Sequence, residues 1–296
     1  MPSVHANGIR IEYDTIGERD NPALLLIHGY RTQLIGWDRA FCEALAERGY
    51  YVIRFDNRDI GLSSKMTDAP VPDFAAALRG DFSSASYTLA DMADDAAGLL
   101  QALDIERAHI AGASMGGMIA QLLALRHPQR VLSLCSMMSS TGDRRVGRPT
   151  PEAQALLTRP YPPERDRYIE AAVATWKVIG SPGLVDEDRA RAKAAEAYDR
   201  CFDPAGAARQ LLAIMASPDR TADLARIRVP TLVLHGAADP LISPDGGEAT
   251  AQAIPGARLR IIDGWGHDLA PEFWPVLIDE IVANAGSARL PVRAVG

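Results

Sequence analysis

The chain has 296 residues, 47% hydrophobic and 23% charged, proportions of an ordinary globular protein and not of a disordered or collagen-like one. Its 31 Lys and Arg against 38 Asp and Glu leave a formal charge of −7 with no basic stripe to neutralise phosphates, which excludes nucleic acid as a partner. Cys42, Cys135 and Cys201 lie far apart without a CxxC pair, so neither a disulfide framework nor a metal site is suggested, and no run of 18 apolar residues offers a membrane span.

In chain order, residues 4–6 and 9–13 flank Asn7-Gly8, a dipeptide that supplies the positive φ angles of a two-residue hairpin. The opening segment lacks the basic-then-apolar layout of a secretory signal, and a cytoplasmic location is expected. Residues 23–27, Ala-Leu-Leu-Leu-Ile, form an apolar run too short for a helix and suited to a strand buried on both faces. Helix-like and strand-like segments then alternate: helix over 37–48, strand over 51–55, helix over 89–103, strand over 108–111, helix over 115–126 and strand over 131–138. The alternation resumes with strand over 231–234, helix over 246–253, strand over 258–262 and helix over 274–285. This is the pattern of an α/β fold with a mostly parallel, doubly wound sheet.

Between 139 and 228 the strand signal disappears, and Ala-, Arg- and Glu-rich stretches are punctuated by prolines. Because the sheet pattern continues on both sides, the expected organisation is a core of 1–138 and 229–296 carrying a helical cap of 139–228 over the sheet.

After the strand at 108–111 comes Gly112-Ala113-Ser114-Met115-Gly116, a G-x-S-x-G sequence in the strand-turn-helix context that the motif requires. Small residues are needed because the serine occupies a strained turn where side chains two positions away would collide. The helix that follows directs its positive end at developing negative charge. A serine hydroxyl needs a base, and the base needs an orienting acid. Of the six histidines, His5, His109 and His127 have structural settings, and His28 and His235 end apolar strands where a buried, hydrogen-bonded ring is the default. His267, in the glycine-bearing loop Gly264-Trp265-Gly266-His267 after the last strand, is placed to overhang the sheet. That loop reads as flexible. Asp239 follows the preceding strand and ranks above Asp143, which has Arg144 and Arg145 beside it, and above Asp268, which adjoins His267. The resulting order is Ser, Asp, His. Backbone donors for an oxyanion fall at Met115, after the nucleophile, and at Tyr30, after the first core strand.

The segments HGY at 28–30, FDNRDIGLS at 55–63, GASMGG at 112–117, HGAADP at 235–240 and GWGH at 264–267 together resemble the α/β-hydrolase superfamily. The resemblance spans nearly the whole chain outside the cap, and it implies the triad Ser114, Asp239 and His267 with the oxyanion donors Tyr30 and Met115. Many members carry D-x-R-G-x-G-x-S where this chain has Asp56-Asn57-Arg58-Asp59-Ile60-Gly61-Leu62-Ser63, a form similar to that of aclacinomycin methylesterase-like hydrolases.

The resemblance implies a serine carboxylesterase that needs no cofactor and acts on a small-molecule ester with small to medium acyl groups. Trp37, Met137, Met138, Trp176, Leu241 and Trp265 are the candidate pocket residues. A serine nucleophile argues against haloalkane dehalogenase and epoxide hydrolase chemistry, which use a carboxylate. Lactonase, carbon–carbon bond hydrolase and cofactor-free haloperoxidase or perhydrolase share the triad. A ligand receptor with negligible turnover is the reading from another class. Oligomeric state stays open.

Overall fold

A computed structural model describes residues 2–288. The opening hairpin is β1 (Ser3–Ala6) and β2 (Ile9–Ile16), turned at Asn7 and Gly8 with φ of 48° and 78°. Then come β3 (Ala23–Ile27), α1 (Arg39–Glu47), β4 (Tyr51–Phe55), α2 (Phe74–Leu78), α3 (Leu89–Ala102), β5 (Ala108–Ala113), α4 (Met115–Arg126) and β6 (Val131–Met137). Five helices follow before the sheet resumes: α5 (Pro151–Thr158), α6 (Arg165–Ile179), α7 (Glu187–Arg200), α8 (Pro204–Ala216) and α9 (Thr221–Leu224). The chain finishes with β7 (Thr231–Gly236), α10 (Pro244–Ala253), β8 (Arg258–Ile262) and α11 (Trp274–Gly286).

The eight strands form one sheet in the order β1-β2-β4-β3-β5-β6-β7-β8, antiparallel at β1/β2 and β2/β4 and parallel from β4 onward. β3 and β5, at its centre, are buried at every position, which is why their sequences run apolar without alternation. One apolar cluster, including Leu25, Ile27, Leu99, Ile110 and Ile119, packs α3 and α4 on one face. A second, including Leu24, Leu26, Phe41, Leu45, Leu232 and Leu277, packs α1 and α11 on the other. This is the mostly parallel, doubly wound α/β architecture expected from the alternation.

Outside 139–228, where the sequence reading bounded no individual helix, strand and α-helix boundaries fall within a few residues of it, with one addition. The five-residue helix α2 went unread, because Phe-Ala-Ala-Ala-Leu is too short to display a helical period. Its capping signal is visible once the fold is known: the Asp73 carboxylate accepts from the Ala76 amide at 2.8 Å.

Candidate active site

Parallel strands deliver the loops at their carboxyl ends to one edge of the sheet, where ligands bind in folds of this kind. Ser114 follows β5 and precedes α4 with φ 58° and ψ −122°, a backbone state that few L-residues occupy and that persists only where its surroundings dictate it. The neighbours explain it. A Cβ on Gly112 would overlap the Gly116 carbonyl, and a Cβ on Gly116 would overlap the Ile27 carbonyl. The Ser114 amide donates to the Met137 carbonyl at 2.9 Å, pinning the turn to β6.

Asp239 and His267 come from the loops after β7 and β8. His267 Nδ1 lies 2.7 Å from Asp239 Oδ2, and Asp239 Oδ1 accepts the Leu241 and Ile242 amides, each at 2.9 Å. Both residues are buried. Burial by itself would raise the Asp239 pKa, but the field of His267 and hydrogen bonds from His235, His267 and the Ile242 amide outweigh it, so the net direction is down. An ionised carboxylate can only accept, so Nδ1 carries the proton and Nε2 presents its lone pair. His235, the ring expected to be merely structural, stands behind Asp239: its Nε2 donates to the Ile242 carbonyl at 2.8 Å and lies 3.5 Å from Asp239 Oδ2. The runner-up acids are engaged elsewhere. Asp143 pairs with Arg145 at 2.7 Å, and Asp268 accepts from the Ser181 amide and hydroxyl at 2.8 and 2.6 Å.

The loop bearing His267, expected to be flexible, is in fact tied down. The His267 amide donates to the Ile179 carbonyl at 2.7 Å and the Gly266 amide to Ser181 Oγ at 2.9 Å. The approach is so close that a Cβ on Gly266 would stand 2.5 Å from the Gly180 carbonyl carbon. Glycine at 266 therefore reflects crowding against the end of α6 and not mobility.

The loop after β3 reaches Ser114 from the other side, where a Cβ on Gly29 would stand 3.0 Å from Ser114 Cβ. Its polar backbone groups are almost all committed. The Gly29 amide donates to His28 Nδ1 at 2.7 Å, the Gly29 carbonyl accepts from Thr32 N at 3.3 Å, the Tyr30 carbonyl accepts from Thr32 Oγ1 at 3.1 Å, and the Arg31 amide donates to Gln210 Oε1 at 3.1 Å. The Tyr30 amide alone in this turn has no acceptor among the described residues. The Met115 amide opens α4, where the helix supplies no acceptor of its own.

Ser114, His267, Tyr30, Met138, Trp176 and Leu241 all border one cavity of about 290 Å³, walled by the core loops and by α5, α6 and α7. No hydrogen bond joins Ser114 Oγ to His267 among the described residues; catalytic hydrogen bonds commonly shorten only when substrate is bound. Three of the expected pocket residues are elsewhere. Trp37 stacks on Phe41, Met137 ends β6 inside the sheet, and Trp265 donates Nε1 to the Asp268 carbonyl; all three have 0% exposure. A position on a loop near the site does not determine which way a ring faces, and here the rings fill the core beneath. His28, by contrast, lines the cavity, and its pKa is pushed down to about 3, chiefly by burial and further by the Lys193 ammonium.

The segment after β4 acts as an anchor. Asp56 accepts the Leu34 amide at 2.7 Å and pairs with Arg200 at 2.7 Å, while Asn57 Nδ2 donates to the His28 carbonyl at 3.1 Å. Asp59 adopts φ 68°, where the commoner form of the motif has glycine, and accepts two bonds from Arg209 of α8, at 2.9 and 2.8 Å.

Residues 19–273 match the family described as serine aminopeptidase, S33. The chain is 31% identical to rhodomycin D methylesterase DauP of Streptomyces sp. (strain C5), over 95% of this chain and 94% of that protein. It is 27% identical to 3-oxoadipate enol-lactonase 2 of Acinetobacter baylyi, over 89% and 91%. Among solved structures, the enol-lactonase from Burkholderia xenovorans LB400 shares the fold, with a TM-score of 0.74 at 24% identity over 97% of this chain and all of that one. The chain accordingly belongs to the serine aminopeptidase S33 family, within the α/β-hydrolase superfamily.

Proposed function

We propose that the protein hydrolyses carboxylic esters with Ser114 as nucleophile, His267 as general base and acid, and Asp239 as the group that orients His267. The observation that carries this reading is the buried Asp239–His267 pair at 2.7 Å, which leaves Nε2 to serve the cavity that Ser114 borders. Ser114 Oγ attacks the ester carbonyl as its proton passes to Nε2. The amides of Tyr30 and Met115 receive the tetrahedral oxyanion. Collapse breaks the carbon–oxygen bond and Nε2 protonates the departing alcohol; water then enters by the same route and releases the acid. The similarity to a methylesterase favours esters of small alcohols, and the similarity to an enol-lactonase favours lactones, which are cyclic esters, as a second substrate group.

The helices between β6 and β7 form the cap of this site, closing the cavity from the side opposite the sheet. Charged stretches such as Glu164-Arg165-Asp166-Arg167 suit a fixed cap better than an interfacial lid. A cytoplasmic, reducing setting is part of the reading, supported by three cysteines that are all unpaired.

Two measurements test it. Ser114→Ala loses activity on the order of a millionfold while remaining folded; retention of a few per cent of the rate, contamination aside, moves the nucleophile elsewhere. On p-nitrophenyl esters from acetate to palmitate, assayed beside methyl esters and lactones, an enclosed pocket gives a maximum at about four to eight carbons. A maximum at palmitate, raised further by emulsified lipid, rejects the enclosed site, and a single acylation without turnover marks a receptor.

A further inference from the structure

The turn that carries the Tyr30 amide belongs to the core, yet it is held from the insertion. Gln210 of α8 is fully buried, at 0% exposure. Its Oε1 accepts the Arg31 amide at 3.1 Å and its Nε2 donates to the Arg58 carbonyl at 2.9 Å. A buried primary amide must satisfy both ends, and this one spends them on the backbones of two different core loops, after β3 and after β4.

The bridge closes where the backbone is least at ease. Arg31 has φ 63°, a left-handed conformation that a non-glycine residue keeps only under constraint, and the constraint on its amide is Gln210. Two residues earlier, Gly29 lies so close to Ser114 that a Cβ on it would stand 3.0 Å from the serine Cβ, and Tyr30, between Gly29 and Arg31, has the one uncommitted amide of the turn among the described residues. Beside Gln210, Arg209 grips Asp59 with two bonds, so α8 cannot slide along the core without breaking buried polar contacts. The helix is thus a fixed post to which the turn is tied.

We propose that Gln210 is a positioning residue that holds the Gly29–Arg31 turn so that the Tyr30 amide meets the oxyanion of the transition state. The inference rests on the acyl-transfer reading given above. Gln210 touches neither substrate nor the reacting atoms; it acts through the Arg31 peptide.

Gln210→Met keeps volume and removes both polar ends. It lowers kcat about 10- to 100-fold, somewhat less than outright loss of an oxyanion donor, while KM moves less than about threefold. A trifluoromethyl ketone, whose adduct with Ser114 carries an oxyanion, loses affinity by the same factor, whereas the matching carbinol, which forms no adduct, does not. Equal loss for ketone and carbinol, or an unchanged kcat in a folded variant, overturns the proposal. Should circular dichroism show that the methionine variant does not fold, Gln210→Asn is read by the same ratio, since shortening by one methylene withdraws the acceptor from Arg31. Fluorophosphonate labelling of the wild type separates the two levels. A wild type that takes no label at Ser114 fails the underlying reading, and a labelled wild type with indifferent Gln210 variants fails this inference alone.

Discussion

The sheet with its flanking helices and the helical insertion are stabilised by different means. In the former, apolar clusters cover both faces of the strands, with Leu25, Leu26 and Ile27 inaccessible to solvent. In the latter, the separate buried cluster consists of Ile169, Ala172 and Ala194, with partly buried tyrosines around it, among the described residues. The two are joined in part by apolar packing, since Ala213, Leu224 and Ile227 enter the cluster that covers one face of the sheet, and in part by polar, directional contacts: Asp56–Arg200, Asp59–Arg209, the two-ended Gln210 amide, and Ser181 with Asp268. Apolar burial tolerates small shifts, whereas a bidentate ion pair or a bridging amide is lost within a fraction of an ångström. The contrast teaches that apolar packing attaches the insertion to the sheet while the polar contacts fix where its helices stand over the site.

The largest test of this contrast compares two aspartates on either side of the divide. Asp239→Asn, in the loop after β7, lowers kcat by roughly 10⁴ through the wrong imidazole tautomer. Asp143→Asn, at the start of the insertion and paired outward with Arg145, leaves kcat nearly unchanged. Steady-state kinetics decide it, and the reverse ranking would reassign the acid.

A smaller effect is expected at the junction. Arg209→Ala leaves the wholly buried Asp59 carboxylate with the Met66 amide but without its counterion and costs about 3–5 kcal/mol in urea unfolding. Adding Asp59→Gly removes the orphaned charge and relieves the positive φ, so the double variant recovers most of that loss. If the junction relied on apolar packing alone, the single variant would cost little and the second change would restore nothing.

The mildest effect is on acid stability. Burial is the main cause that keeps two imidazoles neutral, His28 down to about 3 and His109 down to about 4, and Lys193 on the insertion adds to the shift of His28. Their unfolded counterparts take up protons near 6.5, so below that pH the unfolded state binds more protons than the folded one. Urea midpoints should therefore fall as pH drops from about 6.5 toward 4, and His109→Gln should make the slope shallower. A midpoint independent of pH across that window would contradict the buried neutral state.

Much of the fold was legible in the sequence because its signals are local. A continuous apolar run marked β3, Asn7-Gly8 marked the hairpin, and the glycines at 112 and 116 marked the strained turn at Ser114. The Asp239–His267 contact was legible because chain order and strand ends place both loops on one edge. Other features were not, and the reason is range. Gln210 meets Arg31 across 179 positions and Asp268 meets Ser181 across 87, and no periodicity in either segment announces its partner. Trp37 and Trp265 failed as pocket residues for a related reason: composition identifies a bulky apolar ring but not the layer it fills. His28 is hydrogen-bonded as its strand-end position suggested, but nothing local in the sequence showed that a cavity would open beside it.

The crowding between Gly180 and Gly266 has a consequence for how such a chain can diverge. A Cβ on Gly266 would overlap the Gly180–Ser181 peptide, and one on Gly180 would meet the Trp176 carbonyl at 2.6 Å and Asp268 Oδ2 at 2.9 Å, so neither position accepts a side chain unless its surroundings move. Altering substrate range by exchanging the whole insertion for foreign helices would then be a graft with several obligatory sutures, at 180–181, 200 and 209–210, on top of the two peptide junctions. Single substitutions at cavity-facing residues of α5 and α6, such as Leu156 and Trp176, would reshape the cavity without touching any of those attachments.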